Sequence, residues 1–492
     1  MQWTQGWQVQ GRPKRWGSRN AYQAAQAFAD AELHEERFSA LLGRVRSLSQ
    51  SRFDELALQE CLALSTAART DAQLMRAHSE RCGLLTERGE SLAALEAGHA
   101  ALALARQLGD HEWQVRTACH MAASLNRLGR ADEAVALLAP LRAGLDAVPD
   151  DALRMLWHGD WGAALGNTGR LSEAVAAYDE ALGAARRQGM RDAEGRLLLN
   201  CSIALRQSGQ LDRALLLSRQ GQALSAAEMD AASELPIDAL VMARDEAETG
   251  HYSAALAALE PVLAAFELRG TAFWVQACRM VLVRLWLDLG QYARAVPLLR
   301  EEAADLPAWL RADRRLLQLE LARALHQPAP ASLLDEACAL AALDAQRGPS
   351  LSVRALRAWP ADQVQAHADK LAKTLRSKER HGALLALHVH VARAAGSQGL
   401  ADAAAAAARA AAALLEAGYA PESMYRPEAH LVVWQTLTQA QAHAEAEADA
   451  ARRAGTDWIR SRALPEVPAP FLHSFLNRNA VNRALLAAAT VG

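Results

Sequence analysis

Six glycines recur at a nearly constant interval. They are Gly89, Gly129, Gly169, Gly209, Gly250 and Gly290. The interval is about 40 residues, a length typical of stacked repeat units, and it drifts by a single position over the whole series. Five positions after each stands an alanine: Ala94, Ala134, Ala174, Ala214, Ala255 and Ala295. Two columns locked together in this way mark one supersecondary unit, copied and stacked. Such a unit cannot bury its apolar face alone, so neighbouring copies must pack on one another. The chain is therefore expected to be a solenoid.

Each copy reads as a helical hairpin. In LRMLWHGDWGAALGNTGRLSEAVAAYDEALGAARRQ (153–188) an apolar helix runs to Asn167, Thr168-Gly169-Arg170 breaks it, and a second helix starts near Leu171. Glycine is the expected stop, because it takes positive φ without steric cost. Ser172 and Asp132, just ahead of apolar runs, read as N-caps. Small residues stand seven before most of these glycines (Cys82, Ala122, Gly162, Ser202, Ala243), with Val283 in the sixth copy. A small side chain there lets the two helices of a hairpin approach closely. Four before the glycine stand Leu85, Leu125, Leu165, Leu205, Glu246 and Trp286.

In LGQYARA (289–295) and TGHYSAA (249–255) the chain resembles the tetratricopeptide repeat family. That family's ordinary period is about 34 residues, so the resemblance is to a long-period variant of the kind found in signalling proteins. It covers residues 21–463 in architecture and is most specific over 72–305. It implies an all-α fold, a right-handed α-α superhelix of about ten helical hairpins. A first hairpin turning near Ser51 precedes the clear repeats, and fainter ones turn at Gln327-Pro328, Pro360 and Gly399.

Composition narrows the class further. The chain is 51% hydrophobic but only 5% aromatic, a core of Ala and Leu suited to close-packed helices. The net charge of −3 gives no global field for nucleic acid. Only four lysines occur (Lys14, Lys370, Lys373, Lys378), so arginine carries the positive charge, in keeping with a high-GC bacterial coding bias. No run of about 18 apolar residues indicates a membrane span. Positions 1–20 lack the apolar stretch of a secretory signal. These features lead to the expectation of a cytoplasmic protein that acts away from membranes. The tail 1–20 is expected to be disordered or flexible and basic. Its Arg12, Lys14, Arg15 and Arg19 interleave with Trp3, Trp7 and Trp16, a pattern also seen in nucleic-acid contacts. At that length a disordered or capping tail is the better account, and direct nucleic-acid binding is not expected.

Motifs that carry chemistry are scarce. GxxxxGK[ST], HExxH and GxSxG are all missing. The six cysteines (Cys61, Cys82, Cys119, Cys201, Cys278, Cys338) form no CxxC pair and fall on apolar positions, as buried small hydrophobes of a reducing compartment would. His388 and His390 stand two apart on a helix and point to different faces, which makes them poor joint ligands. No catalytic residue, metal site or cofactor is expected, and the chain reads as a non-enzyme.

The resemblance places a ligand groove on the first helix of each hairpin, at positions 13, 10, 6 and 3 before each glycine. These include Asn126, Arg206, Met280, Leu287, Arg244 and Arg284, with Asn167 and Asn200 on the flank. Asn and Arg side chains can bond a peptide backbone or carboxylate. The expected ligand of this concave face is thus a protein or peptide, acidic or ending in a carboxylate.

The segment 464–492 is expected to cap the array, since a terminal repeat must cover its apolar face. Its Pro465, Pro468 and Pro470 precede an amphipathic stretch through Phe471, Phe475 and Leu486. The phrase VPAPFLHSFLNRNAVNRALL is also similar to the ending of tetratricopeptide sensor regions in large bacterial signalling ATPases. No ATPase or helix-turn-helix accompanies it here, so neither ATP use nor DNA binding is carried over. The expectation is a scaffold or sensor in bacterial signalling. The alternative is a sensor module of a transcription-regulatory system that works with a separate ATPase or DNA-binding partner.

Overall fold

The structure is a computed structural model describing residues 23, 26, 34–50, 53–147, 150–226, 237–268, 270–300, 306–344, 347–439 and 444–489. The basic tail 1–20 and the turn read at Ser51 lie outside the described residues. Among those residues the fold is all-α, helix following helix with no strand. No helix among them is long and apolar enough to cross a membrane.

The repeat columns are packing columns. All six alanines after the glycines are 0% exposed. Cys82, Ala122, Ser202, Ala243 and Val283 are equally buried. Every repeat glycine has positive φ, between 67° and 94°. In five of the six turns the residue after the glycine donates its N–H to the carbonyl of the residue four before the glycine, the Gly169 turn being the exception. Examples are Glu90 to Leu85 (2.9 Å), Gln210 to Leu205 (2.9 Å) and Gln291 to Trp286 (2.8 Å). This bond closes the helix end, and the left-handed glycine lets the chain reach it. Gly109, Gly189 and Gly270 are left-handed too, between hairpins, with φ of 66°, 64° and 65°, and the same bond follows Gly109 and Gly270. They stand half a period after Gly89, Gly169 and Gly250.

The N-caps read at Asp132 and Ser172 are not caps. Helix Ala131–Leu138 has Arg130 at its N-cap, and Leu171–Gln188 begins one residue before Ser172. The left-handed turn swings straight into the next helix, whose first residue packs inward: Ala131 and Leu171 are buried. The exposed first turn is instead held by Arg130 and Arg170, each forked onto the Glu three positions later at 2.6–2.7 Å.

The contacts form two compact units, Met1–Thr168 with Ala176–Gly189, and Gly169–Val175 with Met190–Gly492. In the first, described helices run from His34–Gln50 to Asp151–Thr168. One of its cores gathers Phe38, Leu42, Val45, Cys61 and Leu64. Cys61 and Cys82 are pushed up to about 12 by burial, as expected of inert core thiols.

In the second unit the later helices return to the repeat turns. A Cβ on Gly169 would meet the Lys378 side chain at 2.9 Å, and one on Gly209 would meet Gly382 Cα at 2.7 Å. A Cβ on Gly250 would meet the Trp458 ring at 3.0 Å, and one on Gly290 the Ser474 carbonyl at 2.7 Å. Backbone bonds fix the second of these contacts: Ala420 N–H donates to Gly209 O (2.8 Å) and Glu422 N–H to Gly382 O (3.0 Å). The prolines break the chain after Ala463 into short turns, and two short helices follow, Leu472–Asn477 and Ala480–Ala488. They touch the last hairpin, where Tyr425 OH donates to Asn482 Oδ1 at 2.8 Å. They also reach the Gly290 turn. Ser474 Oγ donates to Leu289 O (2.7 Å) and Asn479 Nδ2 to Asp288 O (2.8 Å). Phe475 is 0% exposed and sits edge-on to Tyr252, with ring centres 5.9 Å apart.

Candidate functional site

Successive first helices of the second unit carry charge on one face. On Arg191–Ser208, Arg206 lies 3.0 Å from Asp245 of helix Ile237–Glu248. Arg244 pairs with Glu248 one turn on, at 2.9 Å. Arg284, on Ala272–Asp288, reaches Asp313 of Ala308–Ala324 at 2.6 Å. Asp313 also meets Arg354, which in turn holds Glu320 at 2.5 Å. Farther along, Glu428 accepts from Arg357 (2.9 Å) and Arg393 (2.6 Å).

These pairs are largely taken from water, so their partners decide their protonation. Burial would raise Glu428, yet Arg357 and Arg393 hold it down to about 2. Burial lifts Asp245 to about 6 against the pull of Arg206. Beside Glu428, burial and then Arg393 and Arg357 push His390 well below the usual imidazole range. Asp288 differs from the rest. Burial drives it well above the carboxylate range, opposed by Arg284 and reinforced by Glu320, Glu428 and Glu248.

The charged face opens into a cavity of about 450 Å³. Leu285, Leu287, Val281, Tyr252 and Tyr292 form its apolar wall, with Met424, Tyr425 and Trp458 from the returning elements. Seven arginines and four carboxylates complete the lining. Arg478 and Arg483 come from the C-terminal segment and Arg323 from Ala308–Ala324; all three are exposed. A small recess of about 30 Å³ beside it includes Arg206 and shares Arg244 and Glu248.

The structure sorts the residues expected in the groove. Arg244, Arg284 and Leu287 line the cavity, and Arg206 lines the recess. Each of these arginines already faces a carboxylate of its own chain. Asn200 is exposed and lines neither space, and Met280 is 3% exposed, inside the core. Asn126 and Asn167 belong to the first unit. There Asn167 is exposed, while both amide atoms of Asn126 are buried without a hydrogen-bond partner among the described residues. Reading by repeat register missed Arg323, Asp288, Tyr425, Trp458, Arg478 and Arg483. The one available signal was the polar side of the C-terminal amphipathic stretch, Arg478, Asn479, Asn482 and Arg483.

No family model and no curated protein matches the chain. Among solved structures it is similar to the apo form of RapI, at 11% identity and a TM-score of 0.49, over 73% of this chain and 97% of that one. It is also similar to the apo form of the quorum sensor NprR from B. thuringiensis, at 11% identity and a TM-score of 0.42, over 79% and 99%.

Proposed function

We propose that the chain is a non-enzymatic receptor of bacterial cytoplasmic signalling, whose second unit takes a short peptide or small effector in its cavity. One observation carries the reading: the space of about 450 Å³, within the range of roughly 300–1,000 Å³ typical of ligand pockets. Its wall combines an apolar stretch with convergent polar groups, the usual make-up of a binding site. The wall also joins repeat helices to elements met much later in the chain, so an occupant would bear on both. That is the requirement for a sensor, whose ligand must favour one arrangement of the chain. A space of this size suits a short segment better than a folded partner.

The test is retention of a ligand by the purified full chain. It is dialysed against the peptide-sized fraction of a bacterial extract and examined by native mass spectrometry. A cavity-filling variant, Ala324→Trp, serves as the comparison. A species retained by the natural chain and lost from Ala324→Trp supports the reading. Retention of nothing, or equal retention by both, sinks it.

A further inference from the structure

We propose that the cavity takes a compact polyanion, with two or more carboxylate or phosphate groups held by Arg323, Arg478 and Arg483; this rests on the receptor reading above. The pairing of the lining charges singles these three out. Of the four lining carboxylates, Glu248, Glu320 and Glu428 are each bonded to an arginine. Arg284 and Arg426 are ion-paired outside the lining, to Asp313 at 2.6 Å and Asp212 at 3.2 Å. Arg323, Arg478 and Arg483 remain. Among the described residues none of the three has a carboxylate within ion-pair reach, and Arg323 touches only the Arg357 carbonyl, at 3.5 Å.

Further donors on the same wall lack acceptors. Trp458 Nε1, Arg357 Nε and Arg426 Nε are buried without a hydrogen-bond partner among the described residues. These donors are closed to a guest, but they add to the excess of donors over acceptors around the space. Asp288 is the one unpaired acid on the wall among the described residues, and burial favours its neutral form. Its repulsion of an anion is weakened to that extent. Arg323 approaches from a repeat helix and Arg478 and Arg483 from the C-terminal segment, so a guest with more than one charged group can engage both sides at once. Guanidinium forks bind carboxylate and phosphate in the same bidentate way.

The experiment is calorimetry on the full chain with four probes: triglutamate, inorganic tripolyphosphate, trialanine and trilysine. The natural chain is expected to bind triglutamate or tripolyphosphate, and which of the two binds tells carboxylate from phosphate. Combined Arg323→Glu, Arg478→Glu and Arg483→Glu should weaken that binding by at least about tenfold, as loss of forked contacts does. Arg213→Glu, Arg409→Glu and Arg453→Glu make the same charge change outside the cavity and should leave it within about twofold, since distant exposed charges are screened. Should the first triple variant fail to fold by circular dichroism, Arg478→Gln and Arg483→Gln singly replace it, each expected to weaken binding. Equal weakening by both triple variants overturns the proposal, and so does binding of neither anion. If trialanine or trilysine binds instead and Ala324→Trp abolishes it, the receptor reading survives without its anion. If no probe binds and the extract yields no ligand, both fall.

Discussion

At the scale of the residue, the repeat glycines are not equivalent. Gly129 has φ 74° and nothing within 4 Å of an added Cβ, whereas Gly209 has φ 94° and backbone of Gly382 at 2.7 Å. Gly129→Ala should therefore cost only the left-handed penalty, about 1–2 kcal/mol. Gly209→Ala adds a clash between two backbones that cannot rotate away, and should cost clearly more. Chemical denaturation of the two variants checks this, and equal losses would mean that the Gly209 contact yields freely. Asp160, in the first unit, offers a test by pH. Burial raises it from 3.8 to about 7, the neighbouring Cys119 thiol pulling the other way. Between those values the folded state holds the proton and the unfolded state does not, so stability falls as pH rises from about 4 to 7. Asp160→Asn should abolish that fall. The variant should melt higher than the natural chain at pH 8, by roughly 2–4 °C per kcal/mol regained, with the gap closing at pH 4. An unchanged gap across that range would count against a raised carboxyl.

At the scale of the element, what could be read from the chain was whatever depends on near neighbours. The glycine stops, the alanine column and the small residues seven before most of the glycines report contacts within a hairpin, and all lie where periodicity puts them. The N-caps at Asp132 and Ser172 failed because a tight glycine turn leaves no room for a separate capping residue. The cavity was only half legible. Arg244 and Arg284 follow from register, but Arg478 and Trp458 arrive by a long fold-back of the chain that no local pattern encodes. Ion pairing was equally hidden, because Asp313 and Glu428 belong to helices beyond the clear repeats. The C-terminal helices should thus matter to the repeats they touch as well as to the end of the array. Phe475→Ala empties a fully buried ring site against Tyr252 and should cost about 3–5 kcal/mol, read from urea unfolding. A loss below about 1 kcal/mol, typical of a surface change, would show that the segment docks only loosely.

At the scale of the whole molecule, two compact units predict unfolding in more than one step, since cooperativity is set by the contacts each part shares. Differential scanning calorimetry should resolve two transitions, one moved by Asp160→Asn and the other by Phe475→Ala. If both variants shift a single common peak, the units melt as one block. The contacts of the repeat turns carry a different kind of consequence. An open array of repeats can lengthen or shorten by whole copies over evolutionary time, because each copy knows only its neighbours. In the second unit, Gly169, Gly209, Gly250 and Gly290 each face a particular later partner: Lys378, Gly382, Trp458 and Ser474. Duplicating one copy between Gly209 and Gly250 would present every later turn to the wrong partner. Here the number of copies is itself part of the fold, and descent with a gained or lost repeat would require both rows to change together.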